Sequence, residues 1–268
     1  MPEKILITGA TDGIGLATAR TLVEQGHHVL IHGRNPEKLQ KTEVLLSAMG
    51  KTDSYLSDLS DLADVKRFAE TITEKHQSLD VLINNAGILR TPHSRTADGL
   101  DVRFVVNTVA PYLLTKKLLP LFSQHGRIIN LSSAAQSPLS IGALMGQCGE
   151  MEAMNAYSQS KLAITMWSYA LSEQQDHHAP VIIAVNPGSL LGSKMVKDGF
   201  GIAGKDIRIG ADILVQAALS DEFKEAGGLY FDNDSGQFTV PHPDARDINK
   251  GKELIRLLEK IIADYIPK

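Results

Sequence analysis

Residues 8–15 read Thr8-Gly9-Ala10-Thr11-Asp12-Gly13-Ile14-Gly15. They directly follow a short apolar run, Lys4 to Thr8, and directly precede a segment of helical period, Leu16 to Gln25. Glycines at a strand-to-helix turn let the backbone approach a pyrophosphate, while the helix N-terminus supplies N–H groups and the positive end of its dipole. The turn therefore predicts a dinucleotide-binding unit, although a tight turn that needs only a positive φ would also use glycine.

The rest of the chain continues this alternation of apolar runs and helical segments. Further strands are predicted at 29–32, 81–83, 127–131, 181–185 and 229–231. Such near-continuous apolar strands are covered on both faces, which indicates a parallel sheet, and right-handed crossovers make that sheet doubly wound. We therefore expect an α/β fold of the Rossmann type, with about seven strands and helices on both faces.

Composition restricts the class of protein. The chain has 268 residues, 43% hydrophobic and 22% charged, which is typical of a globular protein with a sizeable core. Without a linker or a repeat, one domain over 1–268 is the better interpretation. No apolar run is long enough to span a membrane, and a net charge of −4 disfavours nucleic acid as a partner. The single Cys148 and the absence of a signal sequence predict a reducing, cytoplasmic location.

Two later motifs give the glycine turn its context. Asn84-Asn85-Ala86-Gly87 follows a predicted strand, and Tyr157-x-x-x-Lys161 lies in a helical stretch. With the TGxxxGxG spacing of the turn, and in this order, they resemble the short-chain dehydrogenase/reductase family from about Lys4 to Phe231. The resemblance implies reversible hydride transfer between a nicotinamide cofactor and a small carbonyl or secondary alcohol substrate.

The resemblance also implies a catalytic set of Asn107, Ser133, Tyr157 and Lys161. Tyr157 and Lys161 lie on one helical face, so a nearby ammonium, together with a positively charged nicotinamide, is expected to lower the phenol pKa and make it an acid and base. Ser133 polarises the substrate oxygen, with Ser132 as the alternative. Asn107 resembles the helix asparagine that holds a water linking the lysine to solvent, and an internal helix hydrogen bond is its other interpretation.

Cofactor contacts follow from the same resemblance. The expected contact residues are Gly9, Thr11, Asp12, Gly13, Ile14, Gly15, Arg34, Asn35, Asp58, Leu59, Asn85, Ala86, Gly87, Tyr157, Lys161, Pro187 and Gly188. The second strand ends with Arg34 rather than a carboxylate, and a guanidinium suits a 2′-phosphate, which favours NADP(H) over NAD(H). Asp12 argues against this choice because its charge would repel the phosphate, and Arg34 could also be a solvated loop residue. Asp58, Ser60 and Asp61 could instead simply cap a helix that begins near Leu62.

The chain departs from the family pattern on the substrate side. Ser133 and Tyr157 are 24 positions apart, and the insertion at 134–155 resembles the retinol dehydrogenase and WW-domain oxidoreductase branch, whose substrates are often lipophilic. The family's usual threonine after the Asn186-Pro187-Gly188 turn is replaced by Gly192, with Ser193 next. Residues 189–204 are either a substrate lid or an irregular surface loop. An amphipathic helix is expected at about 247–266.

Other functions and partners stay open at this point. A catalytically silent NAD(P)-binding regulatory or scaffold protein is one alternative, and a nucleotide-sugar epimerase is another. The family often forms homodimers or homotetramers through helices beside the active site, which the insertion could obstruct. No metal site is expected, because the pairs His27-His28 and His177-His178 point to different sides and lack further ligands at the right spacing.

Overall fold

The computed structural model describes residues 2–175, 179–263 and 265. Strands and helices alternate along nearly the whole chain. In order, they are β1 (Lys4–Ile7), α1 (Gly13–Glu24), β2 (His28–Gly33), α2 (Pro36–Ser47), β3 (Thr52–Leu56), α3 (Leu62–Lys75), β4 (Val81–Asn84), α4 (Val102–Phe104), a π-helical turn (Val105–Val109), α5 (Ala110–Leu118), β5 (Arg127–Leu131), α6 (Ile141–Leu144), α7 (Ala153–Gln174), β6 (Val181–Asn186), α8 (Lys194–Phe200), α9 (Arg208–Leu219), β7 (Tyr230–Asp232), β8 (Gln237–Thr239) and α10 (Ile248–Ile262).

All the described strands join one sheet in the order β3-β2-β1-β4-β5-β6-β7-β8. The pairs from β3 to β7 are parallel, and only β8 runs antiparallel, against β7. This confirms the predicted doubly wound parallel sheet of the Rossmann type. Among the described residues the sheet has eight strands rather than the expected seven or so, because a short hairpin adds β8 at one edge.

Strand side chains alternate between two buried layers. Leu6, Leu30 and Leu82 belong to a cluster with residues of α3, α5, α7 and α10, whereas Ile7 and Ile31 belong to a second cluster with residues of α1, α2 and α9. Both sheet faces therefore lie against helices, which explains why these strands are apolar at nearly every position.

The order of the strands creates the place for a site. β1 is flanked by β2 on one side and β4 on the other. The chain leaves β1 towards α1 on one face of the sheet and leaves β4 towards α5 on the opposite face. A crevice opens where the strand order reverses in this way. The glycine turn and the segments after β4, β5 and β6 all meet at this edge.

Three predicted segments on the substrate and C-terminal side have definite structures. The insertion at 134–155 contains the short helix α6, and residues 189–204 contain α8. The predicted C-terminal helix is α10, capped by the Asp247 side chain, which accepts hydrogen bonds from Asn249 N and Lys250 N. The last position of that prediction, 266, lies outside the described residues. Throughout the described residues, no helix has the length and apolar character needed to cross a bilayer.

Helix α10 packs closely against α7. Gly251 is buried in this contact, and a Cβ placed on it would lie 2.7 Å from the Cβ of Ala170. That distance is far below a van der Waals contact, so a side chain at position 251 forces the two helices apart.

We expect Gly251→Val to lower the free energy of unfolding by about 1–3 kcal/mol, because the added atoms overpack the interface between the helices. Urea denaturation followed by circular dichroism measures this change. Gly149→Val is the matched control, since a Cβ at the exposed Gly149 meets nothing within 4 Å. Equal stability of the two variants would contradict the close packing of α10 on α7.

Candidate active site

The glycine turn is held against the loop that follows β4. Asn85 Nδ2 donates to Thr8 O at 2.8 Å and to Gly9 O at 3.1 Å, and Ala86 N donates to Thr8 Oγ1 at 3.0 Å. Gly9 has a φ of +66°, and a Cβ on Gly15 would lie only 2.4 Å from Asn85 Nδ2. Glycine is therefore required at both positions, by backbone conformation at the first and by close approach at the second.

A buried histidine, missed in the sequence, supports the same turn. His32 Nδ1 accepts a hydrogen bond from Gly9 N at 3.1 Å, and His32 Nε2 lies 2.9 Å from Ser57 O. Burial lowers the pKa of His32 to about 4, so the ring is neutral at pH 7, and these partners imply the Nε2–H tautomer. Its place in an apolar strand gave no signal of this contact.

One cleft connects the glycine turn with the tyrosine and lysine of α7, and its volume is about 750 Å³. Most of the expected cofactor residues line it. They are Gly9, Thr11, Asp12, Gly13, Ile14, Gly15, Arg34, Asn35, Asp58, Leu59, Asn85, Ala86, Gly87, Tyr157, Lys161 and Pro187. Gly188 is not among the lining residues, but it follows Pro187 with a φ of +117°.

An ion pair that the sequence did not reveal lies at one end of this cleft. Lys38 Nζ contacts Asp12 Oδ2 at 2.8 Å, and this hydrogen bond lowers the pKa of Asp12. Asp12 also caps α1 by accepting from Gly13 N at 2.8 Å. Arg34 is exposed beside them on the cleft wall. The Asp12 charge is thus balanced by a cation from α2.

Asp58 is engaged within its own loop. Its Oδ1 accepts hydrogen bonds from Ser60 N at 2.9 Å and from Ser60 Oγ at 2.8 Å. The N-cap of α3 is instead Asp61, whose side chain accepts from Ala63 N and Asp64 N. Asp58 therefore stays available on the cleft wall, and the capping role belongs to its neighbour.

Helix α7 presents Tyr157 and Lys161 at the other end of the cleft. Lys161 is 4% exposed, its Nζ donates to Leu131 O at 2.7 Å, and Nζ lies 5.7 Å from the centroid of the Tyr157 ring. Burial lowers the pKa of Lys161 to about 8. The ammonium is therefore held in an apolar position beside the phenol.

The pKa of Tyr157 differs from the sequence expectation. Burial raises it above its usual value, and a hydrogen bond with Ser133 opposes the rise. In the cofactor-free chain, removal from water disfavours the phenolate more than the Ser133 hydrogen bond favours it. The expected lowering also involves the positively charged nicotinamide, so it stays a prediction for the cofactor complex. The phenol is protonated at neutral pH in this state.

The two candidate serines after β5 face different partners. Ser132 Oγ lies 2.6 Å from Thr165 Oγ1 and donates to Lys161 O at 3.2 Å, so it is tied to the backbone of α7. The Ser133 hydroxyl interacts with Tyr157 and accepts from Ala135 N at 3.1 Å. Ser132 lines the cleft and Ser133 does not, but the hydroxyl that bonds to Tyr157 belongs to Ser133. Ser133 therefore stays the predicted partner of the tyrosine.

Asn107 lies in the π-helical turn and is fully buried. Its Oδ1 accepts from Ile88 N at 2.8 Å, while its Nδ2 donates to Ile88 O at 2.9 Å and to Ser160 Oγ at 3.0 Å. Asn107 therefore braces the loop after β4 against α7, rather than bonding only within its own helix. A π-helical turn often accompanies a functional residue.

Part of the segment at 189–204 lines one side of the cleft, and a lid function for this segment stays a prediction. Ser193 caps α8 by accepting from Val196 N at 3.3 Å, and Met195 lines the cleft. At the far end of α8, Arg90 Nη2 donates to Gly199 O at 3.2 Å. Ser193, which follows the unexpected Gly192, therefore begins a helix that lies along the cleft.

The insertion at 134–155 is bonded to the segment before α4 and to α4 itself. Arg103 donates to Met151 O at 3.3 Å, and Arg95 donates to Gly146 O at 3.3 Å and to Cys148 O. None of its described residues lines the cleft. A substrate-side role for this insertion stays a prediction.

A metal centre finds no support among the residues with described positions. No three His, Cys, Asp or Glu side chains of these residues are grouped to hold a metal ion. His27 Nδ1 accepts from Glu3 N at 3.0 Å, whereas His28 Nε2 contacts Asp53 at 2.8 Å. The pair His177-His178 lies outside the described residues.

Comparisons with known proteins agree with this geometry. A family model described as short chain dehydrogenase matches residues 3–200. Human retinol dehydrogenase 13 is 30% identical to this chain, in an alignment that covers 94% of this chain and 82% of the human protein. The crystal structure of an uncharacterized Mycobacterium paratuberculosis protein has a TM-score of 0.82 and 27% identity, covering 97% of this chain and 93% of that chain. Pseudomonas aeruginosa RhlG, solved as an NADP active-site complex, has a TM-score of 0.69 and 25% identity, covering 86% and 94%.

We expect Lys161→Met to raise the free energy of unfolding of the cofactor-free protein by about 1–3 kcal/mol at pH 7, because it removes a desolvated ammonium. The folded pKa is about 8 instead of the usual 10.5. The buried ammonium therefore destabilises the folded wild type fully below pH 8. This destabilisation disappears as the pH rises towards 10.5, because the unfolded chain then binds more protons than the folded one.

Urea denaturation at several pH values measures the difference between variant and wild type. Lys260→Met, at an exposed lysine of α10, is the control and is expected to stay within about 0.5 kcal/mol of the wild type. A Lys161→Met difference that does not shrink between pH 8 and 10.5 would argue against a depressed pKa.

Proposed function

Because the chain belongs to the short-chain dehydrogenase/reductase family, we propose that it is an NADP(H)-dependent oxidoreductase acting on a carbonyl or secondary alcohol. The observation that carries this proposal is the single cleft that has the glycine turn and Arg34 at one end and Tyr157 with Lys161 at the other. A dinucleotide is long enough to need both ends of such a cleft, so Tyr157 and Lys161 would be the residues that border its nicotinamide end.

The residues present fit a nicotinamide dinucleotide. The turn at Gly9, Gly13 and Gly15 leaves room for a pyrophosphate at the N-terminus of α1, where backbone N–H groups favour an anion. Asn85 to Gly87 and Pro187 would border the ribose and nicotinamide. When bound, the reduced nicotinamide supplies a hydride and the oxidised form accepts one.

The chain's own residues manage the oxygen and its proton. In the reducing direction the substrate carbonyl oxygen accepts hydrogen bonds from Ser133 and Tyr157, which polarises it. The carbonyl carbon receives the hydride, and Tyr157 transfers its proton to the oxygen. The raised pKa of Tyr157 keeps the phenol protonated and ready to donate.

Lys161 supplies the positive charge for the reverse direction. To oxidise an alcohol, Tyr157 must accept the hydroxyl proton, so it must first be a phenolate. The ammonium of Lys161, with its Nζ 5.7 Å from the ring centroid, favours that anion. A bound oxidised nicotinamide would add a second positive charge beside the Tyr157 phenolate.

The end of the cleft near α2 supports NADP(H). Arg34 and Lys38 both line it, and Lys38 balances the charge of Asp12. The Lys38 and Asp12 side chains are 52% and 58% exposed, so their ion pair is weak and can open to admit a phosphate. The repulsion expected from Asp12 is thereby reduced.

The substrate is proposed to be lipophilic. Ile88, Leu89, Pro92 and Met195 give the cleft an apolar wall near α8. One relative, retinol dehydrogenase 13, is named for a lipophilic alcohol. A cytoplasmic location and assembly into a homodimer or homotetramer stay predictions from the sequence.

We expect Tyr157→Phe to lower kcat for carbonyl reduction by about 10²–10⁴, because the proton donor is lost. Ser133→Ala should cost about 10²–10³, since one hydrogen bond to the developing oxyanion is removed. Ser132→Ala is the matched control and should stay near wild-type activity. The measurement is NADPH absorbance with a panel of aldehydes and ketones.

Full activity of Tyr157→Phe would refute the mechanism. A wild type that binds NADPH and reduces nothing in the panel would favour the catalytically silent alternative.

For cofactor choice, we expect Arg34→Ala and Lys38→Ala each to weaken NADPH binding by about 10–100-fold, because a charged contact to the 2′-phosphate is lost. NADH binding should change by less than about threefold. Fluorescence titration of both cofactors measures this. Lys41→Ala is the control, since Lys41 is exposed on α2 and does not line the cleft. Equal losses for both cofactors would remove the phosphate role.

A further inference from the structure

The β7–β8 hairpin contacts the turn that follows β6. Asp234 accepts hydrogen bonds from Ser189 N at 2.9 Å, from Ser189 Oγ, and from Asn186 Nδ2 at 3.0 Å. Asn233 Nδ2 donates to Pro187 O at 2.9 Å and to Ile209 O at 3.1 Å. Two side chains of the hairpin are thus bonded to residues 186–189, which directly precede the predicted lid.

The two ends of the lid meet at Lys205. Lys205 N donates to Leu190 O at 2.7 Å, and Gly192 N donates to Lys205 O at 2.7 Å. Gly204 crosses so close that a Cβ on it would lie 2.7 Å from Gly192 N. We call residues 189–192 together with 204–205 the lid neck. The residues between its two halves include α8, whose far end is also bonded to Arg90.

Asp234 contacts both halves of the lid neck. It binds Ser189 in the first half, as described, and its Oδ1 lies 3.8 Å from Lys205 Nζ in the second. The carboxylate belongs to the hairpin, which is paired to the central sheet through β7 and β6. Asp234 therefore connects both halves of the lid neck to the central sheet.

Backbone strain in the lid neck supports this role. Leu190 has a φ of +57°, and it is the only non-glycine residue in the described ranges with a positive φ. Its side chain is 42% exposed, so burial does not hold it in this conformation. Such strain persists only where neighbouring contacts fix the backbone, and the contacts here are the Ser189–Asp234 hydrogen bonds and the bond from Lys205 N.

The lid neck also sets the position of α8 over the cleft. Ser193, Lys194 and Met195 follow it directly and line the cleft, and Met195 Cε lies 3.8 Å from a Cβ placed on Gly87. We propose that Asp234 is a positioning residue that fixes the lid neck, and through it α8, over the nicotinamide end of the cleft. Its effect on turnover rests on the proposed function, whereas its effect on the lid does not.

Limited proteolysis tests the positioning role without turnover. Trypsin cleaves after Lys194 and Lys197 in α8, and the rate reports how often the lid opens. In Asp234→Ala we expect cleavage at these sites at least about tenfold faster than in the wild type, with the melting temperature and cleavage elsewhere unchanged. Cleavage of the lid at the wild-type rate would overturn the proposal.

Two further variants keep the test decisive. Asp221→Ala removes an exposed aspartate that pairs with Lys224, outside the lid neck, and it should leave lid cleavage unchanged. Ser189→Ala removes one partner of Asp234 and should accelerate lid cleavage in the same direction, so it replaces Asp234→Ala if that variant fails to fold.

Steady-state kinetics give the second readout. We expect Asp234→Ala to raise KM for NADPH and for the carbonyl substrate by about tenfold, with kcat within about threefold of the wild type. Unchanged KM values would overturn the positioning role. A wild type without any turnover would refute the proposed function alone, because the trypsin result still decides whether Asp234 holds the lid.

Discussion

The amide of Asn85 is the contact on which the site depends. It donates to the carbonyl groups of Thr8 and Gly9 and so fastens the loop after β4 to the loop after β1. The two loops can approach this closely only because Gly15 has no side chain, since a Cβ there would lie 2.4 Å from the amide nitrogen. This contact holds the carboxyl ends of β1 and β4 side by side. The connections that follow these two strands run to opposite faces of the sheet, and the cleft opens between them.

Charge is unevenly distributed along that cleft. At the end near α2, Asp12 and Lys38 are exposed, so water screens their attraction. At the end near α7, Lys161 is buried and its pKa falls to about 8. The fold therefore keeps a desolvated ammonium beside a phenol at a cost in stability. Groups with strongly shifted pKa values at the end of a cleft are characteristic of catalytic sites.

Local patterns in the sequence predicted the parts that local physics controls. Apolar runs revealed the central strands, and the spacing of Tyr157 and Lys161 placed both on one face of α7. The edge strand β3, Thr52–Leu56, was missed because its composition is mostly polar. Only Tyr55 in it is buried, so the strand does not need a run of apolar residues. The contacts of Lys38 with Asp12 and of His32 with Gly9 join residues 26 and 23 positions apart, and no periodicity records such pairs.

The insertion at 134–155 lies outside the lining of the described cleft. Its position between Ser133 and Tyr157 suggested a wall of the substrate site. Instead, Arg95 bonds the insertion to the loop before α4, and Arg103 bonds it to α4 itself. Ala143 and Leu144 of the insertion are buried in the core. The described cleft is bordered by the segment from Ile88 to Pro92 and by α8. These two segments therefore border the described cleft, whereas no residue of the insertion lines it.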